Sequence, residues 1–219
     1  MSWRFITCAA LFVTCLLTAN TIATKLIAVG GIVLTAGIVI FPLSYVLGDV
    51  LTEVWGYAAA RRVIWLGFAC NALMVVAIWV AGEIPAAAFW RGQTAYDEIL
   101  GQAPRILVAS FAAYLVGEFA NVFVLAKLKI LTRGRWLWTR TIGSTVVGQA
   151  LDTVVFVTLA FAGAVPAAAL TGLIIAQWAV KVAYEAAATP LTYAAVAYLK
   201  ASERVDAYDY ETNFNPIRL

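Results

Sequence analysis

Apolar runs long enough to cross a bilayer recur along this chain, and four ionisable residues, Glu118, Asp152, Lys181 and Glu185, lie deep inside them. Glu118 sits between Leu115-Val116-Gly117 and Phe119-Ala120, and Asp152 between Ala150-Leu151 and Thr153-Val154-Val155. Insertion scales put a charge at the bilayer centre at roughly 2.5–3.5 kcal/mol, so four unpaired ones would cost about 10–14 kcal/mol. Groups this costly must face a shared interior, pair there and serve a polar ligand. The fold they demand is a helical bundle with a polar centre.

Composition agrees. The 219 residues are 63% hydrophobic with mean hydropathy +0.89, and only 12% are charged, against about a quarter in soluble domains. We expect an all-α membrane protein, a single domain of six helices over about residues 5–24, 32–53, 63–81, 106–126, 142–162 and 170–199, with a short tail at 200–219. The first run imitates a signal peptide but lacks a clean cleavage site. It reads as a retained helix with a polar stripe of Thr7, Thr14, Thr18, Thr21 and Lys25. Pro42 is expected to kink the second helix, whose continuation sets Tyr45, Asp49 and Glu53 on one face. Residues 82–104 form a long polar connection.

Loop charges set an orientation. Arg61 and Arg62, then Lys127, Lys129, Arg133, Arg135 and Arg140, then Lys200, Arg204 and Arg218 fall on one side of a chain with six spans. Lys25 and the net-acidic 82–104 segment fall on the other. Cytoplasmic loops favour Lys and Arg, which predicts both termini in the cytoplasm. The basic loop is therefore a topology signal and not a nucleic-acid patch. Cys8, Cys15 and Cys70 lie in apolar runs without C-x-x-C spacing and read as small buried hydrophobes. The absence of histidine removes Ser-His-Asp and Cys-His catalysis, H-E-x-x-H zinc hydrolysis and bis-histidine haem. No metal or cofactor is expected.

Helical spacing then gathers the polar residues. Tyr114, Glu118 and Asn121 share one face, as do Thr145, Gln149 and Asp152, with Gly148 permitting close approach. Gln177, Lys181, Tyr184 and Glu185 form a stripe with Trp178 at its edge, one turn before Pro190, which leaves the Ala186 carbonyl without its helical donor. A plain helix-joining role for these groups accounts for one or two charges. It does not account for the excess of carboxylates over one lysine. Carboxylates accept paired donors and amides satisfy mixed edges, a pattern suited to a guanine-like face among other polar solutes, with Tyr45, Tyr184 and Trp178 as stacking surfaces. In a secondary importer with a midplane site, Glu118 or Asp152 would carry a coupling proton. A substrate-capture subunit for a separate ATP-driven module is an alternative. So is an intramembrane aspartyl protease built on Asp49 and Asp152, a reading that Lys181 opposes.

A longer match is more specific. Phe41-Pro42-Leu43-Ser44-Tyr45-Val46-Leu47-Gly48-Asp49-Val50-Leu51-Thr52-Glu53-Val54-Trp55-Gly56-Tyr57, followed by Arg61-Arg62-Val63-Ile64-Trp65, closely resembles the hallmark of the queuosine-precursor transporter family, in the vitamin-uptake-transporter group. Gly117-Glu118-Phe119 with Asn121, Gly148-Gln149 with Asp152-Thr153, Lys181-Val182 with Tyr184-Glu185, and the tail Thr212-Asn213-Phe214-Asn215-Pro216 also look like that family. The resemblance implies import of 7-deazapurines, such as 7-cyano- and 7-aminomethyl-7-deazaguanine, across the inner membrane, with no enzymatic activity. It implies a fold similar to the six-helix substrate-binding subunits of energy-coupling-factor transporters. Carried over by position, the substrate-binding residues would be Asn20, Lys25, Tyr45, Asp49, Glu53, Glu118, Asn121, Gln149, Asp152, Lys181, Tyr184 and Glu185. The expected partners are the small-molecule substrate and the lipid bilayer, and a homo-oligomer is left open.

Overall fold

The computed structural model describes residues 2–22, 25–29, 32–101, 104–161, 163 and 166–216. Helix α1 (Trp3–Ile22) buries Phe5, Ala9, Phe12, Cys15, Leu16 and Ala19, steps of three and four that place one face inward. Thr7 and Thr14 of the expected polar stripe turn outward, and the Thr7 hydroxyl donates to the Trp3 carbonyl at 3.0 Å. Because α1 stops at Ile22, Lys25 leaves that stripe and lies exposed in a bend. Residues 23–24 and 162, where two of the predicted runs end, lie outside the described residues.

The second predicted helix, 32–53, is corrected most. Strands β1 (Leu26–Val29) and β2 (Ile32–Thr35) pair antiparallel, with Leu26 opposite Thr35 and Val29 opposite Ile32. A tight helical turn, Ala36–Val39, leads into α2 (Phe41–Trp55). The β-branched Ile32, Val33 and Thr35 suit an extended backbone. Pro42 kinks nothing. It occupies the first turn of α2, where a missing N–H is no loss. At 1.5 Å per residue α2 is about 22 Å long, short of the roughly 30 Å hydrocarbon core.

Gly56, at φ 84°, separates α2 from α3 (Tyr57–Glu83). Helix α4 (Gln93–Leu100) forms inside the expected polar connection, followed by α5 (Pro104–Leu131), α6 (Leu137–Phe161) and α7 (Ala167–Glu203), which runs through Pro190. Among the described residues, α1, α3, α5 from Val108 and α6 to Ala160 are long and apolar enough to cross a membrane. The protein is an all-α, multi-pass membrane protein that carries one small hairpin.

Helices α5 and α6 approach closely at a glycine pair, Gly117 and Gly148. A Cβ built on Gly117 would meet the Asp152 Cβ at 2.6 Å and the Gly148 carbonyl at 3.0 Å, and one on Gly148 would meet the Asn121 Cβ at 2.8 Å. Only hydrogen fits there, as is common where membrane helices bring their backbones together. Arg4 pairs with Glu203 at 3.1 Å, so the start of α1 and the end of α7 share one end of the bundle. From that end the tail folds back along α3, with one contact per helical turn. The Tyr57 N–H donates to Asp209 Oδ2 at 2.9 Å, Arg61 donates to the carbonyls of Asn213 and Asn215 at 2.9 and 2.8 Å, and Trp65 Nε1 donates to the Pro216 carbonyl at 2.7 Å. Asp209 thereby caps α3, whose first N–H groups have no helical partner.

Candidate functional site

A cavity of about 110 Å³ lies in the half of the bundle away from the paired termini. A single water needs about 10–15 Å³ by the same measure, so the space suits a small ligand. Its wall comes from the end of α1 (Leu16, Ala19, Asn20), the turn into α2 (Gly37, Ile38, Phe41), the early part of α5 (Ser110, Ala113, Tyr114), the late part of α6 (Asp152, Phe156) and the early part of α7 (Gln177, Lys181). Where the short α2 leaves depth uncovered, the wall is the single tight turn Ala36–Val39 and not a continuous α-helix. Irregular backbone at membrane depth is tolerated where it lines a cavity.

Lys181 and Asp152 are the charged groups of this wall. Lys181 Nζ donates to Asp152 Oδ2 at 2.6 Å and lies 4.8 Å from the centre of the Phe41 ring. Trp178 Nε1 donates to the Val146 carbonyl at 3.0 Å, fixing α7 against α6. The Tyr114 hydroxyl donates to the Ile64 carbonyl at 3.1 Å, fixing α5 against α3. An acceptor and a donor thus stand side by side between aromatic rings.

Behind this wall is a layer of buried polar groups that lack partners. Asn121 Nδ2 donates to Asp49 Oδ1 at 2.7 Å. Among the described residues, Asp49 Oδ2, Asn121 Oδ1, Glu118 Oε1, Gln149 Oε1, the Tyr45 hydroxyl and both oxygens of Glu185 find no hydrogen-bond partner. All six residues are 2% exposed or less. Leaving such a group unsatisfied costs about 1–3 kcal/mol, more when charged. Asp49, Glu118 and Glu185 lie close enough to act on one another electrostatically, and the Tyr45 hydroxyl and the Asp152 Cβ both crowd Gly117. The layer is continuous with the cavity wall. The structure therefore brings Asn20, Tyr45, Asp49, Glu118, Asn121, Gln149, Asp152, Lys181 and Glu185 into one region.

Three expected site residues fall elsewhere. Lys25 is exposed beyond α1. Tyr184 is 40% exposed on the outer face of α7. Glu53, fully buried, sits at the opposite end in an ion cluster. Arg140 Nε and Nη2 donate to its two oxygens at 3.0 and 2.8 Å, and Lys200 Nζ donates at 2.6 Å. Lys129 Nζ lies 3.6 Å from the same carboxylate and donates to the Glu53 carbonyl at 2.5 Å and to Asp206 at 2.6 Å. Burial alone would raise the Asp206 carboxyl, but hydrogen bonds from Lys129 and Lys200 hold it below the ordinary carboxylate range. Lys129, Arg140 and Lys200 read as loop charges in the sequence, and nothing local marks them as partners of Glu53. Gln177, Phe41 and Tyr114 join the cavity wall; Gln177 and Tyr114 already lay on the polar faces given by helical spacing.

Asp49 takes its hydrogen bond from Asn121, and Asp152 takes its own from Lys181. The two aspartates therefore have separate partners and do not share a proton as a protease dyad would. Among the described residues no group of three or more acidic or cysteine side chains is placed to hold a metal ion.

Residues 35–195 match the model of a family described as putative vitamin uptake transporter. A probable queuosine precursor transporter of Bacillus subtilis is 32% identical over 190 residues, 85% of this chain and 82% of its own length. The queuosine precursor transporter of Escherichia coli is 30% identical over 130 residues, 58% of this chain and 55% of its own. A probable queuosine precursor transporter of Haemophilus influenzae is 29% identical over 127 residues, 58% of this chain and 52% of its own. No solved structure matches.

Proposed function

Because the chain belongs to the vitamin uptake transporter family, we propose that it imports queuosine precursors, 7-deazaguanines such as the 7-cyano and 7-aminomethyl forms, across the inner membrane as a secondary transporter. The observation that carries this reading is the Lys181–Asp152 pair in the otherwise largely apolar wall of a small cavity beside the broken second span. A guanine-like face offers a ring N–H and an amino group side by side, which a carboxylate accepts together, and a carbonyl next to them, which an ammonium can serve. Asp152 and Lys181 present those complements, with Phe41 and Phe156 near enough to cover a flat ring.

Six crossings, counting the hairpin with α2 as one, return the chain to the side where it began. The Arg4–Glu203 pair fits that parity. The loop charges put the shared end in the cytoplasm. Substrate exposure then alternates between the two faces around the cavity. Glu118 is the better coupling carboxylate, since Asp152 already holds a cation.

Thermal stabilisation of the purified protein by 7-deazaguanines, set against guanine and common vitamins, tests the substrate, because a ligand bound only by the folded state raises apparent stability. Uptake by the protein alone in liposomes tests the transport mode. Stabilisation by a vitamin in preference to every deazaguanine would reject the proposed cargo. Binding without uptake would favour a capture subunit.

A further inference from the structure

The end of the bundle that holds the start of α1 and the end of α7 is closed by charge, and the closure draws on Glu53 from α2, Lys129 from α5, Arg140 from α6, Lys200 from α7 and Asp206 from the tail. A buried polar column leads to it. Tyr45, Asp49 and Glu53 occupy successive turns of α2 and are 1% exposed or less, about 6 Å of rise apart at each step. The cavity wall meets the upper end of this column and the ion cluster stops its lower end. We propose that the Glu53 cluster, with the tail strapped over it, is the closed gate on the terminus-bearing side, and that solute leaves only when Glu53 parts from Arg140 and Lys200. The proposal rests on the import reading above.

Two physical features fit a gate better than a permanent seal. Burying charges forfeits their hydration, so separating them returns water to each and offsets much of the lost attraction. An apolar seal would expose hydrocarbon on opening and gain nothing. The strap is held in part by donors on backbone carbonyls, from Arg61 and Trp65, which water can replace at little net cost. Asp209 on the Tyr57 N–H and the Phe214 ring against Tyr57 and Phe123 anchor it to α3 and α5. The Ala207 N–H likewise donates to the Val54 carbonyl at 3.1 Å, beside Glu53. One movement of the tail with α7 therefore unloads Lys200 and Asp206 together.

The test uses the full chain in detergent with Cys8, Cys15 and Cys70 replaced by alanine and one reporter cysteine introduced. Ser144→Cys places the reporter one turn inward from Arg140, where Ser144 is 0% exposed. Ala109→Cys places a matching buried reporter, also 0% exposed, in the early part of α5 near the cavity end. The rate of alkylation by a small water-soluble maleimide is measured alone and with Glu53→Gln or Lys200→Gln. Lys200→Gln leaves the Arg140 fork in place, so it keeps the test alive if Glu53→Gln does not fold. We expect Ser144→Cys to react at least tenfold faster in the folded variants and Ala109→Cys to react at the parent rate. An unchanged Ser144→Cys rate overturns the gate, as does an equal acceleration at both reporters, which would mean general loosening. No substrate enters this assay, so its failure leaves the cargo reading standing, and a failure to bind deazaguanines leaves the gate standing.

Discussion

Lys181 Nζ lies 2.6 Å from Asp152 Oδ2 and 4.8 Å from the centre of the Phe41 ring, so one ammonium ties α7 to α6 and to the start of α2. The two side chains are 12% and 9% exposed. Removing one partner of a buried pair costs about 3–5 kcal/mol, and this slight exposure places Lys181→Met near the lower figure. Lys181→Met with Asp152→Asn should recover part of the loss, since residues in contact do not act additively. Thermal unfolding of the two singles and the double checks this, and strict additivity would refute it. Asp152→Asn also sets an amide N–H against the ligand's donors. At about 1–3 kcal/mol for the mismatch, affinity should fall roughly 5- to 150-fold, as read by equilibrium binding.

Uptake should follow an imposed pH gradient, and Glu118→Gln should remove that response while deazaguanine binding persists. Glu118 is buried with one oxygen unpartnered, so an amide keeps its volume and takes away its charge. The check is liposome uptake with and without a gradient. A Glu118→Gln protein that still answers the gradient would shift the role to Asp49 or Glu185.

Gly148→Ala should destabilise the α5–α6 pair. The added methyl meets the Asn121 Cβ at 2.8 Å and the Gly117 carbonyl at 2.9 Å, and neither can swing aside. Overpacking of this kind costs about 1–3 kcal/mol. Gly172→Ala faces open space on α7 and should be neutral or gain up to about 1 kcal/mol in helix propensity. Comparable melting temperatures for the two variants would contradict the close packing.

The tail should loosen in acid. Asp206 has a folded pKa below its unfolded value, so its contribution is present above the unfolded value of about 3.9 and is lost as pH falls through the lower folded one. Its side chain is 43% exposed, so the effect is confined to the tail. Limited proteolysis with an acid-active protease should cut near residues 205–210 as pH drops below about 4. In Asp206→Asn that onset should disappear, leaving cleavage the same across the range.

Sequence alone placed Asp152, Lys181, Glu118 and Glu185 inside the bundle because their apolar flanks made exposure to lipid costly. Helical spacing added Asn121 and Gln149. It failed for the hairpin, because Ile32-Val33-Leu34 is equally apolar as strand or helix and a short run carries no period to separate them. It ranked Tyr184 with Glu185, although at about 100° per residue these stand on opposite flanks of Lys181, and only Glu185 turned inward. It grouped Glu53 with Asp49 correctly by face, but depth along α2 is invisible to spacing. The partner that decides Glu53's role, Arg140, lies 87 positions away.

The same long separations govern how the molecule is made. Glu53 is synthesised 147 positions before Lys200, and at roughly 5–20 residues per second it waits on the order of ten seconds for that partner. Its station near the end of α2 makes the wait tolerable, within reach of headgroups and water until Arg140 and then Lys200 arrive. The tail that straps the cluster emerges from the ribosome after every helix it fastens. Closure of this end by the tail therefore follows the synthesis of α7, and a chain cut short before residue 200 would keep the Arg140 fork on Glu53 but lose the Lys200 and Asp206 contacts that complete the cluster.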